Sequence, residues 1–400
     1  MTKWILAATV LLAVGCQSMS TSFQQDQKDA QNRWADARAE VMLRVAKNRL
    51  TSGELDEAYK AAKQTISLDS SCWEAKVVLG RVLIEKGRFT EAAGVLERVC
   101  LERSQDAETL YYLGVAQEKS GQLEESLETY RRAYVLDESN IAPVKASAEV
   151  LVALGRPRPA LHQIESYLPK ATDDLAMYEL AGRLSLMCGE YEKAADYLQR
   201  LRDMDYRNVH YSELLARAQY GSGRLVQLEE NLSELLARED YKAPSWVHMM
   251  LGDCYMSKGQ PREAFNAFFS ASEREPKRVE VWLSLSRAAL AMNDAPRAIG
   301  SAQRALGLAV GDVNAQLLLG MGLIKDNQPA RAVMVLTEAS RTHPENAVVQ
   351  CLLGRAHEAM GQKDKAVRCY QTALRIEPEN EVAKALLTAA SDGEGISRAG

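Results

Sequence analysis

Six cations stand at one recurring place in the chain: Lys47, Arg81, Arg183, Arg217, Arg287 and Arg355. The planar guanidinium fork suits carboxylates, so a row of such groups reads as a groove for acidic or C-terminal peptide segments. The same cations would alternatively be taken up by ion pairs with nearby acids such as Glu40, Glu74 and Glu179. A second group on the same face is apolar. Trp246, Met249, Leu283 and Leu317, rimmed by Arg287 and Arg355, would let a helix or an extended peptide dock. Their alternative role is packing against the next helix.

Bond-making chemistry has no such pattern. His162, His210, His248, His343 and His357 show no metal-ligand spacing, and no Cys-x-x-Cys occurs. Gly320-Met321-Gly322 falls inside an expected helix and so is no phosphate loop. No catalytic residue, metal or cofactor is expected, and the chain is not expected to be an enzyme. A formal net charge of −5, with both signs interspersed, gives no basic excess for nucleic acid. Among seven cysteines, Cys72 and Cys100 flank one hairpin at the same end, where a disulfide is geometrically possible. Cys188, Cys254, Cys351 and Cys369 read as buried free thiols.

The elements that would position these residues repeat. Gly53, Gly87, Gly121, Gly155, Gly189, Gly223, Gly259, Asn293, Asn327 and Gly361 are spaced by 34 residues, with one longer step of 36. Gly and Asn tolerate positive φ, which a sharp helix-to-helix turn needs. With that turn as position 15, position 8 is always small: Ala46, Gly80, Gly114, Ala148, Gly182, Ala216, Gly252, Ser286, Gly320 and Gly354. Position 20 is Ala or Ser throughout except at Leu228. A mid-helix Gly costs roughly 1 kcal/mol against Ala, so it persists only where two elements come close. The expectation is that positions 8 and 20 mark the helix crossing. The six cations then all occupy position 9.

This spacing resembles the tetratricopeptide repeat family, with Phe268 and Tyr370 at aromatic position 24, Ala271 and Ala373 at position 27, and Pro276, Pro344 and Pro378 at position 32. The resemblance covers about 39–380. It implies an all-α fold: a right-handed superhelical solenoid of about ten helix-turn-helix repeats with a C-terminal capping helix. It also implies a concave face lined by first helices, where protein partners are gripped. The family's carboxylate clamp uses Lys at position 5 and Asn at positions 6 and 9; position 6 here contains no Asn, so chaperone-tail binding is not expected.

The N-terminus adds a second resemblance. Lys3 precedes an apolar run, Trp4 to Val14, too short to span a membrane and of signal-peptide length. Ala13-Val14-Gly15-Cys16 is similar to a bacterial lipobox, which implies cleavage before Cys16 and diacylglycerol on its thiol. Several acyl chains anchor stably. Gln17 resembles the class sorted to the outer membrane in Gram-negative bacteria. The expected organisation is a signal peptide over 1–15, then the lipidated Cys16, a polar tether and a lead-in helix over 16–38. Repeats follow over 39–242 and 243–380, then a capping helix over 381–390 and a disordered tail over 391–400. Trp34 is expected to cover the first repeat's edge, and 239–244 to be a hinge or a lengthened helix. The expected function is a membrane-anchored scaffold holding protein partners in the bacterial cell envelope, facing the periplasm from the outer membrane in a Gram-negative host. The alternative is a dedicated subunit of an outer-membrane assembly, pilus or polysaccharide export machine.

Overall fold

The computed structural model describes residues 27–31, 33–103, 105–170 and 173–395, and among them no strand occurs. The expected signal peptide over 1–15, the expected lipidation site Cys16 and residues 17–26 lie outside the described residues. The chain divides into two compact units, Met1–Tyr197 and Leu198–Gly400.

In the first unit, α1 spans 33–51 and continues the helical residues 27–31. Then come α2 (Leu55–Leu68), α3 (Trp73–Glu85), α4 (Phe89–Glu102), α5 (Ala107–Lys119) and α6 (Leu123–Leu136). After these follow α7 (Ala142–Ala153), α8 (Pro157–Tyr167) with a 3-10 turn (Leu168–Lys170), and α9 (Leu175–Cys188); α10 (Tyr191–Met204) contains the division. The second unit holds α11 (Val209–Gly221), α12 (Leu225–Leu236), α13 (Ser245–Ser257), α14 (Pro261–Arg274), α15 (Val279–Ala291) and α16 (Ala295–Leu308). It ends with α17 (Val313–Lys325), α18 (Pro329–Thr342), α19 (Ala347–Ala359), α20 (Lys363–Ile376) and α21 (Glu381–Gly395).

Local chemistry sets these boundaries. Asp106, Asp174, Asp294, Asp312 and Asn346 each accept a hydrogen bond from a backbone N–H of the first turn that would otherwise be orphaned. Pro157, Pro261 and Pro329 open α8, α14 and α18, where a missing N–H does no harm. All ten turn residues adopt positive φ, from 55° at Asn327 to 87° at Gly121. That left-handed conformation reverses the chain within two or three residues.

The small residues also do a job that their spacing did not suggest. A Cβ added to Gly80 would sit 2.6 Å from Leu96, and one on Gly114 would sit 2.6 Å from Tyr130. On Gly320 it would sit 2.8 Å from Leu336, while Gly252 and Gly354 are covered as closely by Phe268 and Tyr370. Each of these partners is position 24 of the same repeat. Glycine at position 8 therefore makes room for a large position-24 side chain, while positions 8 and 20 also meet: the Ser286 hydroxyl donates to the Ala298 carbonyl at 2.9 Å. Where position 24 is small, as at Ala62 and Ala302, position 8 carries a Cβ: Ala46 and Ser286. Volume is exchanged between the two sites in these repeats, though not in every one: Ala148 and Ala216 carry a Cβ where position 24 is Ile164 and Leu232. Tyr130, Phe268 and Tyr370 are among the largest fully buried side chains. The hydroxyls of Tyr130 and Tyr370 donate to Glu118 and Glu358, at 2.9 and 3.0 Å.

Other details differ from expectation. Trp34 is 61% exposed and covers no edge; the Arg38 guanidinium lies over its ring. The capping helix runs to Gly395, five residues past the expected end. Its buried side is Ala383, Leu386, Leu387 and Ala390, packed against Ala373 and Tyr370, and Val382 faces outward. Residues 396–400 lie outside the described residues. The two extra residues of the long period lie in a loop after α12, neither lengthening that helix nor hanging free. Ala243 is buried there, and the Tyr241 hydroxyl donates to Glu213 at 2.8 Å. Cys72 and Cys100 are free thiols, not a disulfide.

Candidate binding faces

The first helices of successive repeats lie side by side, so residues one period apart become neighbours. In the second unit this builds a cleft of about 410 Å³ across α15, α17 and α19. Leu283 and Leu317 line it, joined by Met321 and Val348. Glu280, Asn314 and Arg287 supply its polar groups. Val348 stays 49% exposed. The Arg287 guanidinium is exposed and donates to the Ser284 hydroxyl at 2.9 Å.

The structure does not bring Trp246 or Met249 into this cleft. Trp246 packs on Ala216, Val247 and Leu251, with the Arg217 guanidinium 5.1 Å from its ring centroid. Met249 packs with Val281, Leu285 and Phe268. Arg355 is exposed on α19. Near α13, the Tyr220 hydroxyl donates to Asp253 at 2.8 Å. Burial holds the Asp253 carboxyl above the usual carboxylate range, against the opposing pull of Tyr220 and Arg287.

In the first unit, Arg81 is held twice: its guanidinium lies 4.6 Å from the Tyr112 ring centroid and 3.3 Å from Glu108. With Leu50, Ile84, Glu85, Tyr111 and Val115, Arg81 and Tyr112 enclose about 230 Å³. Arg183 pairs loosely with Glu179 at 3.9 Å, one of the acids the sequence offered. Lys47 is exposed. Four of the six position-9 cations, Arg81, Arg183, Arg217 and Arg287, thus have partners within the chain, and stacking on an aromatic of the following repeat recurs at Arg81 and Arg217. Met321, Val348 and Tyr112 are lining residues, and Glu108 an ion-pair partner of Arg81, that the sequence reading passed over. The available signal was their place at positions 2, 6 and 9, read one repeat further along.

Among the described residues no cluster of His, Cys, Asp or Glu could hold a metal ion, and no helix is long and apolar enough to cross a membrane. Burial raises the thiols of Cys100 and Cys254 to about 11, so both are poor nucleophiles at neutral pH.

Comparison with known proteins agrees with the repeat geometry. Three tetratricopeptide repeat models match residues 43–108 with 248–313, residues 108–134, and residues 323–390. Anaphase-promoting complex subunit 3 of Schizosaccharomyces pombe (strain 972 / ATCC 24843) is 23% identical over 169 residues, 42% of this chain and 25% of that protein. The chain thus spans about a quarter of that relative's length. The crystal structure of the APC/C hetero-tetramer Cut9-Hcn1 matches at a TM-score of 0.42 and 15% identity, over 86% of this chain and 74% of that one. A tetratricopeptide repeat protein from Parabacteroides merdae ATCC 43184 matches at 0.43 and 12%, over 63% and 99%. The matched repeats together cover more than half of the sequence, and the chain belongs to the tetratricopeptide repeat family.

Proposed function

We propose that this protein is a lipid-anchored scaffold of the bacterial cell envelope that grips an apolar segment of a protein partner in the cleft on α15, α17 and α19. Tetratricopeptide repeats are protein-interaction modules, and the fold is typically non-catalytic. The observation that carries the reading is the open apolar cleft of about 410 Å³, whose floor residue Val348 remains half exposed. A folded chain rarely leaves apolar side chains gathered in a concavity without a ligand for them. Arg287 beside that floor favours a segment with a carboxylate near its apolar anchors. The anchor rests on the lipobox-like Ala13-Val14-Gly15-Cys16, and the outer-membrane, periplasm-facing location on Gln17.

Affinity capture with the full chain tests the groove. Val348→Glu and Arg287→Glu alter exposed residues, so the array should stay folded while a partner held there is lost. Undiminished capture of every partner by both variants would overturn the groove. Labelling with a radioactive fatty acid tests the anchor; equal incorporation into native protein and Cys16→Ser would remove it.

A further inference from the structure

A further cavity does not lie on the first-helix face. It lies between the second helices α2 and α4 with α3 as its floor, and has a volume of about 620 Å³. That is the size of a small-ligand site. Its floor and walls are apolar: Ile66, Leu79, Leu83 and Val95. Charged side chains ring the mouth, and they are not equally satisfied. Lys76 is paired with Glu102 at 3.1 Å, and Glu91 is paired with Arg88 at 2.6 Å. Lys63 and Arg98 have no ion pair among the described residues. The Lys63 ammonium lies over the Tyr59 ring, 5.4 Å from its centroid, and Arg98 donates to the backbone carbonyl of Gly94 at 3.1 Å. The lining acids are therefore already neutralised, while two cations remain at the mouth.

Gly94 lines the mouth. It is an exposed mid-helix glycine, and a Cβ added there would meet nothing within 4 Å. The same position in other repeats holds Lys60, Glu128, His162, Asp196, Glu230, Asn266, Met334 or Arg368, with Gly300 the one other glycine. A turn does not require Gly94, and no packed side chain does. The lining also lacks Asn, Gln, Ser and Thr; apart from charged groups, the Tyr59 hydroxyl is its one side-chain polar group. A peptide laid here would leave its amides without partners, which is unfavourable on burial. An alkyl chain would not.

We infer that this cleft binds a small amphiphilic anion, a carboxylate or phosphate on an unbranched apolar chain. The chain lies on Ile66, Leu79, Leu83 and Val95, and the headgroup sits between Lys63 and Arg98. This site is separate from the first-helix cleft and stands whether or not that cleft grips a partner.

Calorimetric titration of the full chain with octyl phosphate and with octanoate, each below its micelle concentration, tests the site. Both should bind. Lys63→Gln and Arg98→Gln should each weaken binding about tenfold, the loss of one charge-assisted contact. Gly94→Glu should abolish binding by filling the mouth and offering a carboxylate to Arg98 one turn away; a glutamate already stands at this position in two other repeats, so the fold tolerates it. Gly94→Ala should bind as the native protein does. Absence of native binding, or equal binding by Gly94→Glu with native helicity, would overturn the proposal. A parallel arm uses vesicles containing anionic phospholipid. Vesicle binding without monomer binding would replace the cleft with a membrane-surface contact and also overturn it; monomer binding that Gly94→Glu removes supports it in either case.

Discussion

Gly114→Ala is the sharpest test of how the repeats are packed, because two effects of opposite sign meet at one methyl group. Replacing a mid-helix glycine by alanine favours the helix by roughly 1 kcal/mol. Against that, the new Cβ would stand 2.6 and 2.7 Å from two ring carbons of Tyr130, where ordinary contact begins at 3.4 Å. Tyr130 is fully buried, and its hydroxyl is held by Glu118 at 2.9 Å, so the ring has no free direction in which to retreat. Overpacking of a filled core costs about 1–3 kcal/mol, and an overlap this deep belongs in the upper half of that range. The net expectation is a loss of about 1–2 kcal/mol. In a Tyr130→Ala background the clash is gone and only the helix preference remains, so the same substitution should stabilise by up to about 1 kcal/mol. Urea unfolding by circular dichroism, with hydrogen exchange of α5 and α6 amides, measures both arms. Exchange matters because repeat arrays open locally rather than all at once. If Gly114→Ala has the same sign in both backgrounds, the close fit of the Tyr130 ring over Gly114 is wrong.

Two further outcomes follow from the geometry. Gly87 has φ +72° and open space where a Cβ would go, so Gly87→Ala loses about 1–2 kcal/mol from backbone strain alone, visible as a lower urea midpoint. For Asp253, whose carboxyl is held above its usual range of about 4, the folded state keeps a proton that the unfolded chain has released, so stability falls as pH rises through that window. Asp253→Asn retains an acceptor for the Tyr220 hydroxyl and should raise the melting temperature at neutral pH but not at about pH 3, where both states are protonated; an equal gain at both values would show that the carboxyl is not the cause.

The sequence alone determined the period, the ten positive-φ turns and the helical class, because these depend on local backbone preference and on spacing along one helix. Gly53 through Gly361 announce reversals whatever surrounds them. It also placed Leu283, Leu317 and Arg287 on a common face, since residues one period apart must stand in neighbouring first helices. Tertiary structure decided the rest. Which large residue fills the space over Gly80 or Gly114 depends on how two helices cross, and crossing geometry is not written in either helix. Trp246 and Met249 sit at positions that look equivalent to the cleft residues, yet each stays half-buried against a different core cluster, away from that cleft. Arg81 was legible as a cation but not as one stacked on Tyr112, because its neighbour comes from the next repeat. The open space beside Gly94 could not be read from spacing at all: a cavity is set by what three helices together leave unfilled.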